Sequence, residues 1–142
     1  MKASMQNLRL ISAAGSEMGK EPGLTEVLNK VLLWAEKIFS LRTCAVLLFD
    51  DMSGKLSIAA SRGYRPEVVA MFRARPGEGV TGEAFATVKP LLVNNPGRHG
   101  SYIEGVPGAT REMAVPLVVA GRPIGVLDAE SVGGRPFSPS DL

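Results

Sequence analysis

Residues 77–82, GEGVTG, reproduce the glycine spacing of a dinucleotide-binding loop, in which backbone N–H groups cradle a pyrophosphate at a helix start. That chemistry also needs an apolar strand running into the first glycine and a carboxylate about twenty residues on to hold a ribose. Here the string follows FRARP, which is charged and ends in Pro76, and the next strand-like run ends in Asn94 and Asn95. Only the helix expected after the string fits. The glycines are therefore read as turn residues that let the chain lie close against neighbouring backbone.

Cys44 is the only cysteine and His99 the only histidine. One thiol supports no intrachain disulfide, no paired-thiol redox centre and no cysteine-rich zinc site. Cys44 sits between Thr43 and Ala45 in a strand-like run, where a free cysteine is mostly a small buried hydrophobe. His99, in NPGRHGSYIEG, would be well placed on a loop as a haem or metal ligand. One imidazole without a second nitrogen or sulfur donor makes a thin site, however, and a solvated loop histidine is the plainer reading. Asp128 shares a strand face with Ile124 and Val126, so a buried face would require a partner for its carboxylate. Arg62, ending a strand whose inward positions would be Leu56, Ile58 and Ala60, is one candidate; solvation of both groups at strand ends is the other reading. Phe72, Phe85, Tyr102 and Met113 could line an apolar cavity with Asn95 as a polar anchor, or could equally be plain core. No Ser, His and Asp set and no carboxylate pair at catalytic spacing is found.

The elements that must position these residues follow from periodicity. Leu8, Ile11, Ala14 or Gly15 and Met18 recur at helical spacing, and KEPG at 20–23 breaks that helix. A second amphipathic pattern runs from Leu24 to about Leu41, with Leu24, Val27, Leu28, Val31, Ala35 and Ile38 on one face. The period then changes to two. TCAVLLFD (43–50) and KLSIAASR (55–62) read as a hairpin joined by DMSG, PLLVNN (90–95) as a strand, and REMAVPLVV with RPIGVLDAES as a last pair turning at Ala120 and Gly121. Pro116 and Pro123 belong at a bulge, an edge or a strand end. RPEVVAMF (65–72) and EAFATVK (83–89) read as short helices, and 96–110 as a long loop with one helical turn near SYIEG. In FSPSDL at the end, Ser138 suits a helix N-cap and Pro139 the first helical position, so a helix and a longer protein are expected to follow.

The chain has 142 residues, enough for one domain with a real core, at 45% hydrophobic and 21% charged. Sixteen basic against fourteen acidic residues leave +2 with no basic run, and 6% aromatics are scattered, so no nucleic-acid partner is expected. No stretch has the length of a membrane helix and the first twenty residues are too polar for a signal peptide, so a cytoplasmic location is expected.

Taken in order, two amphipathic helices, AVLLFDDMSGKLSIAASRGY, PGEGVTGEAFATVKPLLVNN, MAVPLVVAGRPIGVLDAES and FSPSDL resemble a GAF domain over nearly the whole chain, from about Leu8 to Leu142. GEGVTGEAF and VPLVVAGRPIGVLDAES are the most specific parts. The resemblance implies an α+β fold. A central antiparallel six-stranded β-sheet carries the terminal helices on one face, and short helices and loops form a small-molecule pocket on the other. The glycine string would then lead into the short helix that floors the pocket. GAF domains sense cyclic nucleotides, bilins, haem, metals or metabolites, and some are enzymes. The branch resembling free methionine sulfoxide reductase uses several cysteines, since a second thiol resolves the oxidised first, and Cys44 alone cannot run that cycle unaided. Bilin attachment needs a cysteine in the loop at 96–110, which has none, and the Asn-Lys-Phe-Asp-Glu set of cyclic-nucleotide binders is missing.

The expectation is one domain over residues 1–142 belonging to a bacterial-type signalling protein. It is non-catalytic, binds an unidentified small ligand through Phe72, Phe85, Asn95, His99, Tyr102, Met113 and Asp128, and holds no metal. It is expected to dimerise through its terminal helices and to control an attached output domain. The rival readings are a dimerisation spacer whose pocket is filled by its own side chains, and an enzyme of the sulfoxide reductase kind.

Overall fold

The computed structural model describes residues 23–39, 42–100, 103–133 and 139–141. They form helix α1 (Leu24–Phe39), the hairpin β1 (Thr43–Asp50) and β2 (Lys55–Arg62), helix α2 (Pro66–Met71), the short strand β3 (Arg73–Ala74) and helix α3 (Gly79–Thr87). Strands β4 (Leu91–Asn94), β5 (Arg111–Val119) and β6 (Arg122–Ser131) complete the architecture. The fold is α+β, with one six-stranded antiparallel sheet in the order β3-β2-β1-β6-β5-β4. The expected helix over residues 5–18 lies outside the described residues, as does Ser138; a 3-10 turn at Pro139–Asp141 closes the described chain.

The β1–β2 turn is fixed by Asp50, whose two carboxylate oxygens accept the N–H groups of Met52 (3.0 Å) and Ser53 (3.2 Å) while its carbonyl accepts that of Gly54. Those donors hold the Asp50 carboxyl below its ordinary value. At the other hairpin Ala120 and Gly121 both have positive φ, 50° and 76°, the sign a two-residue turn needs to match strand twist. Both prolines sit where β-pairing is one-sided. β4 pairs with β5 only from Arg111 to Ala114, leaving Pro116 beyond it, and β1 pairs with β6 only as far as Gly125, leaving Pro123 beyond that. A missing N–H at such a position breaks no ladder hydrogen bond.

Successive residues of β1 serve opposite layers. Cys44 and Val46 pack against Leu28 and Leu32 of α1, together with Ala60, Met113 and Ala129. Ala45 and Leu47 face the other way, into a core with Leu56, Ala74, Val80, Phe85, Ala114 and Val126. α1 carries Glu26 in its first turn and Lys37 in its last, charges that oppose its dipole favourably. Glu36 ties it to β2 through Arg62, Nε to Oε2 3.1 Å. Arg62 is thereby engaged on the α1 side and does not partner Asp128, which corrects one of the two readings of that residue.

The glycine string opens α3 four residues earlier than the pattern suggests, at Gly79 instead of Glu83. Gly77 and Gly79 take φ of 89° and 65°, and a Cβ on Gly82 would collide with the Arg75 carbonyl oxygen. The Gly77 N–H donates to the Gly82 carbonyl (2.7 Å) and the Arg75 N–H to Glu78 Oε2 (3.0 Å), so the string folds back on itself. Val80, Thr81, Gly82, Ala84 and Phe85 are all buried. Only Glu83, Ala86 and Thr87 near its end are not buried, so the helix shows too narrow a polar face for a helical period to be read. β3 is too short for a period of any kind. The helical turn expected near SYIEG falls partly outside the described residues; within the same loop a 3-10 turn forms at Pro96–Arg98.

Leu32 has no exposed surface and anchors α1 to the sheet. Leu32→Ala is expected to lower unfolding free energy by about 2–5 kcal/mol, read as a shift of the urea midpoint at unchanged slope.

Candidate functional site

Strand register assembles an acidic cluster that no single segment displays. β5 and β6 pair Glu112 with Glu130 and Ala114 with Asp128, and β1 sets Thr43 opposite Glu130 and Ala45 opposite Asp128. Period-two alternation then places Glu112, Asp128 and Glu130 on the sheet face away from α1. All three are at least 96% buried, with 4%, 4% and 3% of their surface exposed. Tyr64, just past the end of β2, brings its hydroxyl to Asp128 Oδ2 (2.9 Å) and Glu130 Oε2 (2.7 Å).

A phenol has one proton, so two carboxyl oxygens at hydrogen-bonding distance require a proton on one of them as well. Burial works in the same direction. It pushes Glu112 far above the usual carboxylate range, reinforced by the charges of Asp128 and Glu130, so that Glu112 is protonated at neutral pH. Burial also raises Asp128, to about 6, against the pull of hydrogen bonds from Glu112 and Tyr64. The Tyr64 hydroxyl moves well above its normal value through burial and then through the same two carboxylates. Glu112 Oε2 and Asp128 Oδ1 are buried and meet no donor from outside the Glu112–Asp128 pair.

These four polar residues form one end of a cavity whose walls are Ala45, Leu47, Ile58 and Phe72. Its volume is about 10 Å³, room for one water-sized group. Gly105 closes the polar end: a Cβ there would strike the Glu130 carboxylate and crowd the Tyr64 ring. Among the described residues no group of His, Cys, Asp and Glu is arranged to hold a metal ion.

Of the residues singled out from sequence, Phe72 and Asp128 line this cavity. Phe85 is on the same side but behind it, stacked on Phe49 with centroids 4.7 Å apart. Met113 does not join them. It lies on the opposite face, in the core under α1. Asn95 is exposed at the start of the 3-10 turn, in left-handed conformation (φ 66°), and gives its N–H to Thr110. His99 pairs through Nε2 with Glu83 Oε2 of α3 at 2.7 Å, away from the cavity lining. Tyr102 lies outside the described residues. Tyr64, Glu112 and Glu130 were not anticipated. A signal existed for two of them, since Asp128 and Glu130 are two apart in a strand and Glu112 directly precedes the apolar run of its neighbour.

Acids whose folded-state affinity for protons is raised stabilise the fold when protonated. Between the unfolded value and the folded one the native state binds more protons, so stability falls as pH rises. For this cluster the fall starts near 3.8 for Asp128 and 4.5 for Glu112, runs to about 6 for Asp128 and continues past neutrality for Glu112. The melting temperature is therefore expected to decline from mildly acidic to alkaline pH, and Glu112→Gln to flatten the decline, as differential scanning calorimetry across pH would read. Tyr64→Phe leaves buried acceptors without their donor and is expected to cost about 1–3 kcal/mol in urea unfolding.

The comparisons with known proteins agree with this geometry. The family model described as GAF domain matches residues 21–142. Among solved structures, the GAF domain of a phosphoenolpyruvate-protein phosphotransferase from Coxiella burnetii superposes with a TM-score of 0.81 at 19% identity. That match covers 97% of this chain and 84% of the other. A free methionine-R-sulfoxide reductase from Neisseria meningitidis, in complex with its substrate, gives 0.81 at 26% identity over 99% of this chain and 81% of its own. A protein described as a GAF sensor from Burkholderia vietnamiensis gives 0.79 at 27% identity over 98% and 85%. A comparison with curated proteins returns no match. A six-stranded antiparallel sheet with α1 on one face and a small cavity on the other, matched by the family over residues 21–142, establishes that the chain belongs to the GAF domain family.

Proposed function

We propose that this GAF domain is a non-catalytic sensor of a small molecule, acting in the cytoplasm as a homodimer joined through its terminal helices and controlling an attached signalling output domain. The observation that carries the reading is the buried cluster of Tyr64, Glu112, Asp128 and Glu130, in which Glu112 Oε2 and Asp128 Oδ1 meet no donor from outside their own pair. Burying three carboxyl groups opposes folding, and apolar residues of similar shape would stabilise the domain more. A ligand that satisfies those atoms gives the cluster a use.

Signal transfer needs only that the ligand prefer one of two packings. β1 links the two sides physically, because Ala45 and Leu47 wall the cavity while Cys44 and Val46 touch α1. On the outer face of α1, Leu33 is 39% exposed, a seat for the helix of a second copy.

The similarity to free methionine-R-sulfoxide reductases raises an enzymatic reading. Cys44 argues against it for this chain. It is fully buried in the core under α1, on the sheet face away from the cavity, and burial together with Glu36 raises its thiol to about 11. A thiol so held is a poor nucleophile at neutral pH. The spacer reading draws on a different observation, the cavity of about 10 Å³, which a whole metabolite enters only if the walls move.

A thermal-shift screen against a metabolite library separates these readings. A ligand at a hundred times its dissociation constant adds about 2.7 kcal/mol of stability. At least one compound is expected to raise the melting temperature, equally in the parent and in Cys44→Ser; silence across the library would favour the spacer, and sulfoxide turnover lost in Cys44→Ser would favour the enzyme. Analytical ultracentrifugation is expected to show a dimer that Leu33→Glu weakens.

A further inference from the structure

We infer that Arg62–Gly63–Tyr64 is a mechanical link between the two faces of the sheet, by which a displacement of the Tyr64 hydroxyl in the cavity reaches α1 through the Arg62–Glu36 ion pair. This rests on the sensing reading above and names the route by which occupancy of that site is felt at the helix.

An exception to strand alternation sits at the end of β2. Residues two apart in a strand share a face, yet Arg62 and Tyr64 do not. Arg62 stands opposite Cys44 in the ladder and reaches Glu36 on the α1 side, Nε to Oε2 3.1 Å. Tyr64 lines the cavity on the other side, its hydroxyl on Asp128 Oδ2 at 2.9 Å and Glu130 Oε2 at 2.7 Å. Gly63 makes the crossing. Its φ of 82° is left-handed, and a Cβ there would strike the Arg42 carbonyl oxygen and the Thr43 side chain. The corner is thus wedged against the start of β1, so a movement of Tyr64 turns Arg62 instead of being taken up at the glycine.

The corner is also the part of this region able to move by itself. The β1–β2 ladder ends at the Cys44 and Arg62 pair, and β3 pairs only with Leu56 and Ser57. Gly63 and Tyr64 therefore lie beyond the ladder, and the Arg62 end of β2 is held along one edge. β1, by contrast, is paired along both edges and moves only as the sheet moves. A group entering the polar end of the cavity meets the Tyr64 hydroxyl there, and the push passes along two residues to Arg62.

Magnitude decides what the ion pair is for. Its side chains are 43% and 28% exposed, and a pair so open to water adds little to stability. Its position is what matters. Arg62 is joined through the chain to the corner, and Glu36 stands two residues from Trp34, the only tryptophan, whose ring carries Lys37 Nζ at 5.4 Å. Trp34 thus reports on α1 where the link arrives.

The test uses the full chain, folded, and proton–nitrogen NMR correlation spectra. Tyr64→Phe removes the hydroxyl and is expected to shift the Trp34 indole N–H and the Arg62 backbone N–H while leaving the Ala120–Gly121 turn in place. In a Glu36→Ala background the same change is expected to shift the Arg62 signal and no longer that of Trp34. A mechanical link runs both ways, so Glu36→Ala alone is expected to move the ring signals of Tyr64. That second reading decides the matter if Tyr64→Phe does not fold, and silence in it overturns the inference. Silence of Trp34 towards Tyr64→Phe does the same. So does an equal response without Glu36, which assigns the coupling to the sheet, and so does an equal shift of the Ala120–Gly121 turn, which marks general loosening. These spectra need no ligand, so the sensing reading is judged separately. A silent metabolite screen beside a responding Trp34 removes that reading and leaves the link; a stabilising metabolite beside a Trp34 silent to Tyr64→Phe does the reverse.

Discussion

Alternation along β1 and β6 is the constraint from which the rest of the molecule follows. Both strands are central and covered on both faces, so consecutive side chains answer to different layers. A one-residue slip in either would carry Cys44 and Ala129 to the cavity side and Asp128 to α1, exchanging a dry interface for an acidic one. The register is held by the hairpin at Asp50, by the turn at Ala120 and Gly121, and by apolar residues that fit only one side.

Against that apolar background the acidic cluster is the exception. Tyr64, Glu112, Asp128 and Glu130 occupy positions where Val, Leu and Phe would pack more favourably, and their carboxyls are kept buried by sharing protons among themselves. A protein ordinarily tolerates such a departure where a ligand or a switch makes use of it. The cluster also lies one residue from positions of the same strands that support α1, Glu112 beside Met113 and Asp128 and Glu130 on either side of Ala129. A change at the cavity and a change at the helix are therefore changes of one rigid ribbon, which is the coupling a regulatory domain requires.

The glycine string shows how the same local chemistry serves different ends. In a nucleotide fold the glycines bring backbone up to a phosphate; here they bring backbone up to backbone, with Gly82 pressed on the Arg75 carbonyl. The result is a helix seated deep enough for Val80, Ala84 and Phe85 to fill the core behind the cavity. That filling leaves the cavity small.

The sequence by itself determined most of the order of strands and helices and the hairpin turns, because these depend on local period and turn chemistry, and its resemblance to GAF domains implied the α+β class and the family. It left Asp128 open between a buried acid in need of a partner and a solvated strand end, and the structure shows it 4% exposed. The start of α3 escaped it, since a helix buried on most sides carries no period, and so did β3, which is two residues long. Only the tertiary structure decided the partner. Tyr64 and Asp128 are separated by 64 positions, and Arg62, nearer to hand by charge, turns to Glu36 on the other face. It also sent Met113 under α1 and His99 to Glu83. Which face a strand residue occupies depends on a register shared by three strands, and a single strand's pattern does not contain that information.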